Sequence, residues 1–203
     1  MSGNRRNAEF PLKGRVVFFA TGNFHKFDEA RNLLAKLGIA VGMLKVKGVE
    51  LQSDSLVEIA QASAQEAFNR CHLPLIVEDA GLFIEALNGF PGPYAAYVYK
   101  TVGNKGVLEL MEGLETRNAV FRSAIAYCDS DTEAPVVFEG KAQGEIIVNE
   151  CSGSGKSGFG FDPVFKPSGS TKTFAQMALE EKNVFSHRAK AVCKFAEWYK
   201  RLR

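Results

Sequence analysis

Apolar positions along this chain recur at two spacings, and the switches between them mark out its elements. Arg15-Val16-Val17-Phe18-Phe19-Ala20 is a continuous β-branched and aromatic run, which predicts a buried strand. Directly after it, Phe24, Phe27, Ala30, Leu33, Leu34 and Leu37 recur at helical spacing, and Gly38 closes the predicted helix. A second strand is predicted over residues 43–46. Ser55-Leu56-Val57-Glu58 reads as a capping box that opens an alanine-rich helix to about Cys71. Pro74-Leu75-Ile76-Val77 then predicts a third strand that ends at Asp79 and delivers two acids, Glu78 and Asp79, to its tip, with Gly81 soon after.

Two β-α units in succession require at least a partly parallel sheet with helices against it. The pattern then changes. Residues 86–100 contain Gly89-Phe90-Pro91-Gly92-Pro93 and read as loop, and a helix is predicted over residues 105–111. Residues 119–128 and 135–148 read as two long strands joined by the polar turn Asp129-Ser130-Asp131. So short a connection makes them antiparallel, so the fold class is α/β with a mixed sheet. Residues 152–160 are rich in Gly and Ser and read as loop. Thr173-Phe174-Ala175-Gln176 reads as a second capping box. A last helix is predicted from Ser186, with Val192, Phe195, Ala196 and Tyr199 on one face.

With 203 residues, 46% of them hydrophobic, the chain can bury a sizeable core as one domain or one domain with two lobes. A net charge of +2 gives no field that favours duplex nucleic acid. Cys71, Cys128, Cys151 and Cys193 form no Cys-x-x-Cys pair, which argues against a zinc site or disulfide framework and fits a reducing cytoplasm. The first residues lack the apolar core of a signal peptide, and no run reaches the length of a membrane span. Residues 1–13 are expected to form a disordered lead-in and residues 14–203 the folded domain.

Several segments carry chemistry. Paired carboxylates such as Glu78 and Asp79 at a strand end can hold Mg²⁺ and activate a water; the plain alternative is a solvated turn. Thr21-Gly22-Asn23-Phe24-His25-Lys26 joins a strand to a helix, whose N-terminal N–H groups and positive dipole end favour phosphate. Thr21 and Asn23 offer side-chain hydrogen bonds and Lys26 a point charge; alternatively Asn23 is simply the cap and Lys26 a surface lysine. No Walker A pattern is present there, and Gly153-Ser154-Gly155-Lys156-Ser157-Gly158 lacks the following helix that a phosphate loop needs. Glu50 follows a predicted strand and is placed to reach the same sheet edge. Phe159-Gly160-Phe161-Asp162-Pro163 presents rings for stacking a base and Asp162 as an acceptor, or else a tight aromatic turn filling core. Ser186 is a good N-cap, which sets His187 and Arg188 near a helix start, where they can donate to a carbonyl oxygen.

Thr21-Gly22-Asn23-x-x-Lys26, Val77-Glu78-Asp79-x-Gly81-Leu82, Gly89-Phe90-Pro91-Gly92-Pro93-Tyr94, Phe159-Gly160-Phe161-Asp162-Pro163-Val164-Phe165 and Glu181-Lys182-Asn183-x-x-Ser186-His187-Arg188-Ala189 occur in that order. Together they resemble the inosine triphosphate pyrophosphatase family, over about residues 16–196. The resemblance implies an elongated mixed sheet, two lobes and a central cleft. It implies hydrolysis of non-standard purine nucleoside triphosphates to the monophosphate and pyrophosphate with Mg²⁺, by a homodimer. Thr21, Asn23 and Lys26 would hold phosphates, and Glu50 and Asp79 the metal and the attacking water. Phe159, Phe161, Asp162, Lys182, His187 and Arg188 would surround the base. Two features depart from many relatives: Ala62-Ser63-Ala64-Gln65 lacks a phosphate-directed lysine, and Phe161 stands where Tyr or Trp is common. Two other readings are a pyrophosphatase for modified pyrimidine or methylated nucleotides, and a nucleotide-binding module without catalysis. The Ser-His-Arg and Phe-Gly-Phe-Asp clusters argue against the first, and the pairing of Glu50 with Asp79 against the second.

Overall fold

The structure, a computed structural model, describes residues 16–46, 51–151, 153 and 158–202. The expected lead-in, Glu50 and residues 154–157 of the Gly/Ser-rich loop lie outside the described residues. In chain order the elements are β1 (Val16–Ala20), α1 (Phe24–Lys36), β2 (Ala40–Leu44), α2 (Leu56–Cys71), β3 (Leu75–Ile84), β4 (Pro91–Gly92), α3 (Ala95–Thr101), α4 (Gly103–Leu110), β5 (Asn118–Cys128), β6 (Val136–Ile146), β7 (Phe165–Pro167), α5 (Leu179–Phe185) and α6 (His187–Leu202). The seven strands form one mixed sheet in the order β2-β1-β3-β5-β6-β7, with β4 also on β3. The pairs β1–β2 and β1–β3 are parallel and the remaining pairs antiparallel.

β3 does not stop at Asp79. It shares only Phe18↔Leu75 and Phe19↔Ile76 with β1, then continues alone while pairing with β5 as far as Ile84↔Ala119. Glu78 and Asp79 are therefore mid-strand, just past the point where β1 gives way to the turn into α1. Gly81 is not a turn residue but a point of close approach: a Cβ there would lie 2.4 Å from the Gly92 carbonyl oxygen on β4. A glycine inside a strand often marks such an approach.

Two other expectations are corrected, and one helix was not expected. β2 covers Ala40–Leu44 rather than residues 43–46, because Gly38 at φ +73° turns the chain at once and Ile39 is already buried. Gly42 inside the strand hides it from an apolar count. Residues 86–100 are not all loop, since they contain most of α3. This helix has seven residues, two inward-facing apolar positions (Ala95 and Val98) and no capping side chain. The uncapped seven-residue α5 escapes detection for the same reason.

Strand alternation assigns the faces of the sheet. On β5, Ile125 and Tyr127 pack with α1 and α6, against Leu34, Phe195 and Tyr199. Ala124, Ala126 and Cys128 face Ala60, Ala64 and Ala67 of α2, so small side chains on both surfaces bring helix and sheet close. Towards the other end, Leu82, Phe121 and Phe165 pack with Val98 and Val107 of α3 and α4. Phe19, Leu34 and Phe195 are fully buried, each stabilising the fold by about 1.5–3 kcal/mol.

The first turn of α6 sits directly on β6. A Cβ on Gly140 would lie 2.0 Å from the His187 carbonyl oxygen and 2.7 Å from the Ala191 nitrogen. Both contacts are backbone, so nothing flexible can give way. Gly140→Ala is expected to destabilise the protein by about 1–3 kcal/mol through overpacking, a fall of about 2–12 °C in Tm. A melting curve unchanged within a degree contradicts this close contact.

Candidate active site

A cavity of about 510 Å³ opens between the start of α1, the middle of β3, α3, the 158–162 loop and the start of α6. Asn23, Lys26, Asp79, Phe159, His187 and Arg188 are among its walls. Local sequence rules place the α1 side. Thr21 Oγ1 accepts from the Asn23 N–H at 3.1 Å, and Asn23 Oδ1 caps the helix by accepting from the Lys26 N–H at 3.1 Å. Capping is thus what Asn23 does here, while its residue still lines the cavity. Lys26 Nζ reaches back to β3, donating to the Glu78 carbonyl at 3.4 Å and pairing with Glu78 Oε2 at 3.3 Å. On the opposite wall, Ser186 Oγ accepts from the Ala189 N–H at 3.3 Å and fixes the first turn of α6.

Behind this cavity runs a continuous chain of alternating charges. Lys182 Nζ lies 2.7 Å from both Asp162 Oδ2 and Glu29 Oε1. Arg188 Nη1 donates to Glu29 Oε2, and Arg188 Nε approaches Glu78 Oε1 at 2.9 Å, off the axis of a linear hydrogen bond. Ser123 Oγ donates to the same Glu78 oxygen at 2.7 Å. Lys26 completes the series. All of these residues except Lys26 are buried. Burial opposes the charge on Glu78, yet Arg188 first and Lys26 next outweigh it and hold this carboxyl far below the usual range. Burial likewise opposes the charge on Glu29, and Arg188 and Lys182 together lower its pKa. At Asp162 burial prevails over Lys182, and its pKa is raised.

Asp79 stands outside this series. Its Oδ2 is buried with no hydrogen-bond partner among the described residues. Burial pushes its pKa up to about 6, with Lys26 opposing and Glu78 adding to the rise. His187 is the counterpart on the far wall. Burial, aided by Arg188, lowers its pKa well below the ordinary value, so the ring is neutral at pH 7. It stacks on Phe121 with centroids 4.7 Å apart and planes 8° from parallel, and its Nδ1 has no partner among the described residues.

Of the residues singled out in the sequence, Asn23, Lys26, Asp79, Phe159, Phe161, Asp162, His187 and Arg188 all line one cavity. Thr21 does not; it tightens the turn behind Asn23. Lys182 is 1% exposed, bound to two carboxylates and absent from the cavity wall, so it positions Asp162 and Glu29 rather than presenting a donor to the cavity. Arg188 has two of its three nitrogens on Glu29 and Glu78. Phe161 is 3% exposed and part of the core. Glu50 lies outside the described residues. Glu29, Ser123 and His25 are unforeseen. Nothing local marks Glu29 as buried, because its partners are 153 and 159 positions away.

The sequence matches the Ham1 family over residues 17–198. It is 51% identical over 184 residues to the dITP/XTP pyrophosphatase of Methanopyrus kandleri, covering 91% of this chain and 96% of that protein. It is 47% identical over 182 residues to the dITP/XTP pyrophosphatase of Thermococcus kodakarensis, covering 90% and 96%. The fold superposes on the structure of a HAM1 protein from Coxiella burnetii with a TM-score of 0.80 at 29% identity, covering 92% of this chain and 99% of that one.

The raised pKa of Asp79 has a consequence for stability. A carboxyl at about 6 when folded binds its proton more tightly than in the unfolded chain, where it titrates near 3.8. Its contribution is therefore full below that lower value and is lost as pH rises through about 6. Asp79→Asn removes this loss. In metal-free protein the variant is expected to gain stability over the wild type as pH rises from about 4 to 6, with a constant advantage above. Paired thermal or denaturant melts across that range check it, and a difference independent of pH contradicts it.

Proposed function

The chain belongs to the Ham1 family, and we propose that it hydrolyses non-canonical purine nucleoside triphosphates, such as dITP, XTP and ITP, to the monophosphate and pyrophosphate. The observation that carries this reading is Asp79: a carboxylate whose buried Oδ2 has no hydrogen-bond partner among the described residues, in the same cavity as a helix start bearing Lys26 and a neutral histidine whose Nδ1 likewise has none. In the reaction, water adds to phosphorus, the anhydride bond between the first and second phosphates breaks, and pyrophosphate leaves. Such a step needs charge neutralisation and an aligned water more than covalent chemistry.

The residues divide the work. The N-terminus of α1 and Lys26 face the triphosphate, whose charge the helix dipole and the ammonium both favour. Asp79, once ionised, orients the attacking water and draws off its proton. Mg²⁺ keeps several waters and takes one or two carboxylates plus substrate phosphates, so Asp79 Oδ2 fits it, with Glu50 as the second acid the sequence offers. When bound, Mg²⁺ supplies charge neutralisation to the phosphate oxygens. Among the described residues no group of three or more His, Cys, Asp or Glu forms a closed metal cage. A site of that open kind leaves room for substrate oxygens.

His187 serves the base. A neutral imidazole N–H donates to the C6 carbonyl of hypoxanthine or xanthine, whereas the C6 amino group of adenine would set donor against donor. Asp162, held by Lys182 and the Phe159 N–H (2.9 Å), lies beside it on the cavity wall. The reading extends to a homodimer in a reducing compartment, supported by four unpaired cysteines and the exposed aromatic rings of Tyr94 and Tyr97.

Pyrophosphate release from a panel of purine triphosphates, with and without Mg²⁺, tests the whole proposal. Turnover is expected for dITP, XTP and ITP, to depend on Mg²⁺, and to fall by at least about 10²-fold in Asp79→Asn. No release from any member of the panel sinks the activity; full activity in the variant sinks the role of Asp79.

His187→Ala reports on selection. The ratio of kcat/KM for ITP over ATP is expected to shrink by about 1–3 kcal/mol, the cost of leaving a polar group unmatched. A ratio that holds while both rates fall together returns His187 to a structural role.

A further inference from the structure

Among the aromatic rings that line the cavity, Tyr99 is exposed and meets Phe161 edge-on, whereas Phe159 is held within the wall and its outer face is covered. Phe161 is 3% exposed, and Phe121 is 8% exposed and already stacked on His187. Phe159 is half-buried and lines the cavity. From the interior, Lys182 Nζ and Arg188 Cζ sit 5.2 and 5.5 Å from its centroid. Both cations are buried and both bind Glu29, so they hold the ring from the protein side. From the solvent side the exposed imidazole of His25 stacks on it, with centroids 5.1 Å apart and planes 13° from parallel.

His25 makes no hydrogen bond or ion pair among the described residues. Ring contact alone holds it on Phe159. It belongs to the first turn of α1, two residues after the Asn23 cap and next to Lys26, so its backbone is fixed while its side chain is free to turn outwards.

We propose that His25 occupies, in the free protein, the face of Phe159 on which the purine stacks, and that a base enters by displacing it. This deepens the purine triphosphate reading and rests on it. A purine offers two fused rings where imidazole offers one, so it out-competes the histidine for the same surface. The displaced contact is a fixed charge against every ligand that stacks, and none against pyrophosphate. When the monophosphate leaves, the imidazole closes over Phe159 again, which favours product release, a step that often limits turnover.

The test is direct binding, without turnover. Dissociation constants for inosine monophosphate and for inorganic pyrophosphate are measured by calorimetry on the wild type, His25→Ala and His25→Phe. Removing the competitor is expected to tighten inosine monophosphate by about 2- to 10-fold, the range of an aromatic pair. Pyrophosphate binding stays as in the wild type, and His25→Phe returns the nucleotide constant to the wild-type value or above. In steady-state assays, product inhibition by the monophosphate strengthens in His25→Ala by the same factor. Weaker or unchanged nucleotide binding in His25→Ala overturns the displacement, as does equal tightening of pyrophosphate. A wild type that binds the monophosphate and hydrolyses no triphosphate refutes the proposed activity and leaves the displacement standing.

Discussion

Glu29, Glu78 and Asp162 are taken out of water in the middle of this fold, and the way their charge is matched governs everything around them. Glu29 and Glu78 each sit between two cations and Asp162 ends the series on one, in the sequence Asp162, Lys182, Glu29, Arg188, Glu78, Lys26. An isolated buried carboxylate costs several kcal/mol even after relaxation, and removal of one partner from a buried pair exposes that cost in full. The chain is therefore cooperative: each buried ion is tolerable because its neighbours in the series are present. It ties α1, β3, the 158–162 loop, α5 and α6 to one another, and all of these except α5 contribute walls of the cavity, which α3 completes. Apolar residues of similar volume often serve stability as well as a buried ion pair does. What the ions add here is direction, since the series fixes the orientation of Asp162, Arg188 and Lys26, which line the cavity.

That function explains a tension within the cavity wall. Arg188 and Asp162 line the cavity, yet most of their bonding capacity is directed backwards. The forward edge of each is thereby held in one place with little freedom to lose on binding. His187 Nδ1 and Asp79 Oδ2, by contrast, have no hydrogen-bond partner among the described residues, and both residues line the cavity. Groups left unmatched in the free protein are the ones a ligand or ion can match, whereas the matched groups act as their framework.

The sequence speaks clearly where the signal is local. β1, α1, α2, the β5–β6 hairpin and α6 follow from period, capping residues and a short turn. The Asn23 and Ser186 caps stand where their residue types place them. It is silent where the cause is distant or brief. Glu29 looks like any polar helix residue until Lys182 and Arg188 fold onto it. α3 and α5 are too short to display a period and carry no capping side chain. The run of β3 through Gly81 is instructive, because glycine serves two physical ends: a turn needs its backbone freedom, while β3 needs its missing Cβ so that Gly92 can approach. Only the partner strand tells the two apart.

Glu78 and Asp79 show how far a strand's geometry decides chemistry. They are adjacent, similar and equally acidic in composition, but successive strand residues point to opposite faces. Glu78 shares its face with Ile76 and lies opposite Ile125 on β5, on the side covered by α1 and α6. It meets Arg188, Lys26 and Ser123 there and is locked in the charged state. Asp79 follows Leu75 and Val77, on the side of α2; among the described residues its Oδ2 has no hydrogen-bond partner, and Lys26 acts on it only through its charge. Burial then raises its pKa to about 6, close enough to neutrality for the group to exchange a proton with a water at physiological pH. Had β3 ended at Asp79, both acids would have been solvated, with ordinary affinities for protons. The continuation of the strand past β1 buries the pair and the alternation separates them, so that cations match Glu78 while Asp79 Oδ2 is left without a hydrogen-bond partner among the described residues.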